Sequence, residues 1–148
     1  MQVLGLQNEP ACSIQQRVHA KRRPGGCLHA LSHLFEPRGV AIVGASADLT
    51  RIGGQPVRAL NRFGFRGAVY PVNPKYQEID GLRCYASIAD IDAPCDVALI
   101  AVPARAASEA VRACGAAGIP FCLVLSAGYR ETGAAGAALE AEIGRAHV

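Results

Sequence analysis

The sequence predicts an α/β domain in which a parallel sheet carries helices on both faces, a doubly wound arrangement. Four short runs are apolar without polar alternation, as expected of strands that are buried on both faces. Helical patterns and short connections separate these runs, which favours parallel strands joined by right-handed crossovers. We therefore expect about four strands in the order 3-2-1-4, numbered along the chain. At 148 residues the chain is long enough for one domain with a substantial core.

The first strand is predicted at residues 40–43, and small residues follow it directly. A backbone that carries only Gly44, Ala45 and Ser46 can lie close to a ligand and offer its N–H groups to an anion. Gly53 and Gly54 then precede a helical pattern, whose start would add unpaired N–H groups and a positive dipole end. The apolar positions of that helix are Val57, Leu60 and Phe63. Together these features predict a turn that holds a phosphate; the alternative is a tight turn that binds nothing.

The later elements continue the alternation of strand and helix. Further strands are predicted at residues 68–72, 96–102 and 121–125. Pro74 and Pro103 end the first two of these, because proline lacks the N–H that a strand ladder needs. Residues 76–95 are predicted as a connection with a helical turn near 87–91. Helices are predicted from residue 104 to Gly118 and from about Gly133 onward, the first with Ala107, Val111 and Cys114 facing inward.

The four predicted strands end in polar or glycine-bearing segments. In a parallel sheet of this kind the ligand crevice lies beyond the carboxyl ends of the strands. We therefore expect the four segments to meet at one edge of the sheet and to form a binding site there. They are residues 44–46, 73–75, 103–105 and 126–128.

The net charge of +3 comes from residues 1–33, which hold four basic side chains and one acidic side chain. Residues 34–148 hold 11 of each, and basic residues and aromatics do not interleave there, so nucleic-acid binding is excluded. Residues 1–30 are predicted to be a disordered or linker-like basic tail. An organellar transit peptide is an alternative for this segment. No apolar run reaches the roughly 18 residues of a membrane span.

The six cysteines form no CxxC pair and have no metal-ligand spacing with the four histidines. Reduced thiols in a cytoplasmic protein are therefore predicted, in preference to a disulfide framework or a zinc site. The histidines all fall in the tail or near the chain end, and neither a Ser-His-Asp arrangement nor a carboxylate pair is predicted at a strand end. We predict no catalytic residue and no metal site.

The second strand end bears on the identity of the ligand. A dinucleotide such as NAD favours GxGxxG in the first turn and an acid that closes the second strand. Here the turn reads GASADL, and the second strand ends at Asn73 with Lys75 beyond it. A basic side chain there suits a phosphate near a ribose, as in NADP or in the 3′-phosphate of coenzyme A. The alternative for Lys75 is a solvated turn lysine.

Several motifs in this order resemble one protein family. LFEPRGVAIVGAS, RIGG, YPVNPK, DVALIAVPA and LVLSAGYRETG are similar to the coenzyme A (CoA)-binding domain of ADP-forming acyl-CoA synthetases, over about residues 31–141. That domain is related to the N-terminal part of the succinyl-CoA synthetase α subunit. The resemblance implies a Rossmann-type domain that binds CoA at the strand ends. It implies as binding residues Gly44, Ala45, Ser46, Ile52, Gly53, Asn73, Pro74, Lys75, Val102, Pro103, Ala104, Ser126, Ala127 and Gly128.

The resemblance also implies that the catalytic machinery lies elsewhere. A phosphohistidine domain and an ATP-grasp domain or subunit would be the partners of this domain in the intact ligase, and the chain alone is expected to be inactive. Residues 31–142 would be an incomplete CoA-binding domain. Residues 143–148 read like a translated sequencing adapter and are predicted to be a non-native tail that truncates the last helix. The alternative function is a stand-alone CoA- or NADP-binding regulatory module.

Overall fold

A four-stranded parallel sheet forms the centre of the fold. The computed structural model describes the backbone of residues 27–146 and the side chains of residues 31–146. The strands of this sheet are β1 (Gly39–Val43), β2 (Ala68–Val72), β5 (Val97–Ile100) and β6 (Phe121–Val124). The helices are α1 (Cys27–Phe35), α2 (Gln55–Arg62), α3 (Ala104–Ala116) and α4 (Ala134–Ala146). A small hairpin joins β3 (Glu78–Ile79) to β4 (Leu82–Arg83), and short 3-10 helices lie at Ile88–Asp90 and Arg130–Thr132.

The predicted α/β class with a parallel, Rossmann-like sheet is confirmed, but the predicted strand order 3-2-1-4 is wrong. The strands lie in the order β2-β1-β5-β6, so the third long strand pairs with the first and not with the second. The reason lies at the outer edge of β2, where Tyr85 forms a parallel bridge with Val72 and donates its N–H to the Pro71 carbonyl. Because the chain that follows the hairpin fills this edge, the next strand can add only on the free side of β1.

The sheet separates two apolar cores. On one face, Ala41 and Ile100 pack with the predicted inward residues of α3, which are all buried: Ala107, Val111 and Cys114. On the other face, Ile42 packs with Val57 of α2 and Ile79 of the hairpin. Phe63, the last apolar position of the predicted helical pattern, lies outside this core, since 81% of its surface is exposed. α2 ends at Arg62, so the helical spacing does not extend to Phe63, which caps the helix.

A buried carboxylate fixes the amino ends of β1 and β5. Asp96 is 1% exposed, and its carboxylate accepts three hydrogen bonds from Arg38. The donors are the backbone N–H of Arg38 at 2.8 Å, its side-chain Nε at 2.9 Å and its Nη2 at 2.6 Å. The Nδ1 atom of His33 lies 3.5 Å from Oδ1 of the same carboxylate. The hydrogen bonds from the Arg38 side chain lower the pKa of Asp96 to about 2. We call this contact between Arg38 and Asp96 the latch. It holds together the amino ends of the two central strands, at the end opposite to the predicted site.

The first and the last described helices extend across the predicted domain limits, which stay predictions. α1 begins at Cys27, inside the predicted tail, and the rest of that tail, residues 1–26, lies outside the described residues. α4 continues to Ala146, and both Ile143 and Ala146 pack against the core. That residues 143–148 are non-native stays a prediction.

β6 lies at the edge of the sheet, where Leu123 is 40% exposed. Of the helices that the structure describes, none has the length and apolar character that a membrane crossing requires.

Candidate functional site

The loop after β1 depends on glycine at two close approaches. Gly44 has φ +84°, and a Cβ there would lie 2.7 Å from the Ala101 carbonyl oxygen and 2.8 Å from a methyl group of Val102. A Cβ on Gly53 would overlap the carbonyl oxygen of Gly44 and would lie 3.5 Å from the Ser46 nitrogen. The loop therefore folds back on its own first residue, and only glycine allows that contact.

This loop leaves several backbone donors unpaired. Within the part of the chain that the structure describes, the N–H groups of Ser46, Ala47, Ile52 and Gly53 have no protein acceptor. Neighbouring backbone N–H groups of this kind attract anions. Ser46 and Gly53 come from the two ends of the loop but lie side by side. The arrangement can therefore present donors from both ends of the loop to one phosphate.

The start of α2 contributes less than the sequence suggested. The N–H groups of Gly54 and Gln55 both donate to the Arg51 carbonyl, at 2.9 Å each, and Pro56 has no N–H. The expectation of unpaired N–H groups at this helix start is therefore wrong for Gly54, which precedes the helix, and for the first two helical residues, Gln55 and Pro56. The donors available to an anion lie in the preceding loop instead.

Asp48 stiffens the middle of the same loop. Its Oδ1 atom accepts hydrogen bonds from the backbone N–H of Thr50 at 3.0 Å and from the Thr50 hydroxyl at 2.6 Å. Oδ2 accepts a third hydrogen bond from Nε of Arg51, at 3.2 Å. The Thr50 hydroxyl is the main cause that lowers the pKa of Asp48. Since Arg51 already pairs with this carboxylate, its charge is partly neutralised before any ligand arrives.

The loop after β2 is tied to the loop after β1. Nδ2 of Asn73 donates to the Ala45 carbonyl at 2.7 Å, and Oδ1 of Asn73 accepts the N–H of Lys75 at 3.0 Å. The N–H groups of Gly44 and Ala45 both donate to the Val72 carbonyl, at 3.0 and 3.3 Å. Lys75 is exposed and has no ion-pair partner among residues 31–146. Its ammonium group is therefore available to an anion at this edge.

The loops after β5 and β6 form a second tied pair. The Ser126 hydroxyl donates to the Val102 carbonyl. The N–H groups of Gly128 and Tyr129 donate to Oε1 of Glu131, at 2.6 and 3.0 Å, and they lower the pKa of that carboxyl group. Both of these backbone donors, and the Ser126 hydroxyl, are therefore engaged inside the protein.

A cavity of about 270 Å³ opens where the two loop pairs meet, between the carboxyl ends of β1 and β5. This is the point at which the strand order reverses, where ligands of open α/β sheets bind. Of the predicted site residues it brings together Gly44, Asn73, Pro74 and Val102. The other ten do not line it: Ala45, Ser46, Ile52, Gly53, Lys75, Pro103, Ala104, Ser126, Ala127 and Gly128.

Sequence reasoning missed part of the cavity wall. The missed residues are Ala86, Ser87, Ile88, Ala110 and Ala113; Val43 and Val72, from the predicted strands, complete the lining. Ser87 caps the short 3-10 helix through Asp90, whose Oδ2 accepts the Ser87 N–H at 2.8 Å and its hydroxyl at 3.0 Å. That Ser-x-x-Asp spacing was the available signal. The wall is predominantly apolar, so the cavity suits an uncharged part of a ligand.

The described residues can be searched for metal-binding clusters and for disulfides. Between residues 31 and 146, no group of three or more His, Cys, Asp or Glu side chains is arranged to hold a metal ion. The cysteines whose side chains are described are free thiols, namely Cys84, Cys95, Cys114 and Cys122. His33 belongs to the latch at the opposite end of the sheet, and His19, His29 and His147 lie where no side chain is described.

Comparison with known proteins points to a single family. The chain is 42% identical over 113 residues to acetate–CoA ligase [ADP-forming] I of Archaeoglobus fulgidus, and covers 16% of that protein with 76% of itself. It is 34% identical to the α subunit of acetate–CoA ligase [ADP-forming] II of Pyrococcus furiosus, over 76% of this chain and 24% of the subunit. The chain therefore spans no more than about a quarter of the length of these relatives.

A solved structure gives the same result for the fold. The apo form of dinucleotide forming acetyl-coenzyme A synthetase 1 from Ca. Korarchaeum cryptofilum superimposes with a TM-score of 0.75 at 41% identity. The match covers 79% of this chain and 25% of that one. The profile of the family described as CoA binding domain matches residues 38–145, which run from the Arg38 latch through all four strands to the last helix. This chain therefore belongs to the family of CoA-binding domains.

Proposed function

We propose that this domain binds coenzyme A at the carboxyl edge of its sheet, as the N-terminal domain of an ADP-forming acyl-CoA synthetase such as an acetate–CoA ligase. The observation that carries the proposal is the apolar cavity beside the loop whose backbone donors are unpaired. CoA combines an uncharged pantetheine chain and an adenine ring with charged phosphates, so it needs both kinds of surface. The chain offers them next to each other at the switch point between β1 and β5.

The residues divide between these two tasks. The walls of Val43, Val72, Ile88 and Val102 suit an uncharged part of CoA. The free N–H groups of the loop at residues 46–53 suit its diphosphate. The exposed ammonium group of Lys75 suits the 3′-phosphate. The remaining predicted site residues stay proposals as parts of the loops that surround the ligand.

NAD is the dinucleotide that this edge disfavours. A carboxylate at the end of the second strand would accept hydrogen bonds from the ribose hydroxyls of NAD. Here β2 is followed by Asn73, whose side chain is bonded to Ala45 and Lys75. The basic Lys75 follows two residues later and favours a ligand that carries a phosphate near its ribose.

Titration calorimetry of the full chain with CoA, dephospho-CoA and NAD tests the proposal. We expect CoA to bind most tightly, dephospho-CoA less tightly, and NAD most weakly. Tighter binding of NAD than of CoA would overturn the assignment.

Lys75→Ala should weaken CoA binding by at least tenfold and dephospho-CoA binding much less, since a charge-assisted contact contributes about 1.5–3 kcal/mol. Arg66→Ala is the matched control, because Arg66 is exposed and precedes the amino end of β2, at the opposite edge of the sheet. Equal losses for both ligands would remove the 3′-phosphate role from Lys75.

The activity of the intact protein is part of the proposal. The relatives extend far beyond the segment that this chain matches, which supports catalytic domains in the remainder of a longer ligase. By resemblance, those partners are a phosphohistidine domain and an ATP-grasp domain or subunit. The free thiols support a cytoplasmic location. The genomic sequence beyond residue 141 tests this reading, because a frame that continues into a histidine-bearing domain supports a ligase and a stop codon at that point supports a stand-alone module.

A further inference from the structure

The side chain of Asn73 bonds to two different backbone segments at the edge of the sheet. Nδ2 donates to the Ala45 carbonyl at 2.7 Å, across 28 residues of chain. Oδ1 accepts the N–H of Lys75 at 3.0 Å. The side chain thus connects the loop after β1, whose Ser46 N–H has no acceptor among the described residues, to the loop after β2, which carries Lys75.

The backbone of Asn73 is also held firmly. Its N–H donates to the Tyr85 carbonyl at 2.9 Å, and its own carbonyl accepts the N–H of Tyr76 at 3.3 Å and the thiol of Cys84 at 3.5 Å. Cys84 is buried in the core that contains the hairpin. Asn73 is therefore a fixed point from which its side chain can orient the two loops.

The bond to Ala45 determines the direction of a donor. The Ala45 carbonyl and the Ser46 N–H belong to one planar peptide unit, and in a trans peptide these two groups point in opposite directions. The structure has no cis peptide bond among its described residues. When Asn73 holds the carbonyl on one side, the Ser46 N–H is directed to the other side, and it has no protein acceptor in the described chain.

From this geometry we propose that Asn73 is a positioning residue, which sets the direction of the Ser46 N–H and the placement of Lys75 so that both act on one phosphorylated ligand. The inference rests on the proposed function, because it assigns to CoA the groups that Asn73 orients. It assigns to Asn73 itself a role through its neighbours, since both polar atoms of its side chain are bonded to the backbone. The phosphate selectivity of the edge therefore depends on an amide that is not itself a phosphate ligand.

Calorimetry on four proteins tests the proposal: the wild type, Asn73→Ala, Lys75→Ala and the double variant. Asn73→Ala should weaken CoA binding about tenfold, as expected for two lost hydrogen bonds, and should reduce the preference for CoA over dephospho-CoA. In the Lys75→Ala background, where that preference is already lost, the same substitution should cost distinctly less than tenfold. Gln77→Ala is the control, because Gln77 is an exposed amide in the same connection.

A second variant and a ligand-free measurement separate positioning from simple structural support. Asn73→Asp keeps an acceptor for the Lys75 N–H but loses the donor to Ala45. In the free proteins, hydrogen exchange at the Lys75 amide should therefore speed up in Asn73→Ala and stay slow in Asn73→Asp, while both variants bind CoA more weakly.

The outcomes are distinct. Additive losses that are equal for CoA and dephospho-CoA would overturn the positioning role, as would unchanged CoA affinity in Asn73→Ala. Unchanged exchange at Lys75 in a folded Asn73→Ala protein would also overturn it. Failure of the wild type to bind CoA would overturn the proposed function, and this inference with it.

Discussion

The latch between Arg38 and Asp96 predicts a defined loss of stability in acid. In the folded chain the pKa of Asp96 is about 2, against an ordinary value of 3.8, because the Arg38 side chain donates two hydrogen bonds to it. A carboxyl group whose folded pKa is depressed stabilises the fold above its unfolded pKa, and this stabilisation is lost as the pH falls through the folded value. Asp96 should therefore contribute about 2 kcal/mol at neutral pH and about 1 kcal/mol at pH 3.

Asp96→Asn removes this contribution while keeping the shape of the side chain. Urea unfolding of the wild type and the variant, followed by circular dichroism from pH 7 down to pH 3, measures the difference in unfolding free energy at each pH. We expect the difference to shrink by about half over this range, because the wild type loses the stabilisation that the variant lacks. His33, 3.5 Å from the same carboxylate, is replaced in both proteins by Gln so that its own titration does not contribute.

Asp92→Asn is the matched control. Asp92 is exposed and makes no hydrogen bond or ion pair with any residue whose side chain is described. Its substitution should change the unfolding free energy by less than about 0.5 kcal/mol at every pH. A stability difference for Asp96→Asn that is independent of pH would refute the reasoning, since the latch would then act by shape alone.

Two further predictions concern the binding loop and the sheet edge. Gly53→Ala should weaken CoA binding by at least tenfold in calorimetry, because the new Cβ would displace the Gly44 carbonyl. Its control is Gly115→Ala, where the new Cβ would lie in open space on α3. This control should stabilise the chain by about 0.5–1 kcal/mol and leave binding unchanged. The exposed edge at β6 should make the 148-residue chain self-associate, and Leu123→Lys should shift it toward the monomer in sedimentation experiments. A wild type that sediments as a monomer throughout would contradict the second prediction.

The fold class could be predicted because the central strands leave a clear pattern in the sequence. β1 and β5 pair with strands on both sides and are covered on both faces, so almost every residue in them is apolar. The inward positions of α3 follow from helical spacing for the same reason. The helix pattern around Phe63 misled us because spacing cannot show where a helix ends.

The strand order could not be predicted from the long strands alone. It depends on what covers the outer edge of β2, and the segment that does so follows a hairpin with only two residues in each strand. The hairpin did leave a signal in the sequence, because Asp80 and Gly81 lie between the apolar residues Ile79 and Leu82. In the structure both turn residues have positive φ, at 53° and 77°. Asp-Gly between apolar residues is typical of a two-residue hairpin turn.

The candidate site was predictable in its position but not in its hydrogen bonds. The convergence of strand ends follows from topology, and it holds in either strand order. Which donors remain free depends on distances within loops, as the engaged N–H groups of Gly54 and Gly128 illustrate. Ser87 reaches the cavity because the connection after β2 folds back along the sheet, and the alanines reach it because α3 packs on the same face. The Ser-x-x-Asp spacing indicates a helix cap but does not report either of these contacts.

Because β5 pairs with β1 and not with β2, the two sides of the cavity come from parts of the chain that are far apart in sequence. The unit from β1 through α2 to β2 is contiguous, and the bond from Asn73 to Ala45 closes a loop of 28 residues. The latch from Arg38 to Asp96 closes a loop of 58 residues, and the β5 side of the cavity depends on this second closure. A ligand that needs both sides binds only chains that have made both closures, and by mass action it stabilises those chains alone. Coenzyme A would then favour the complete fold over every form in which one side of the cavity is missing.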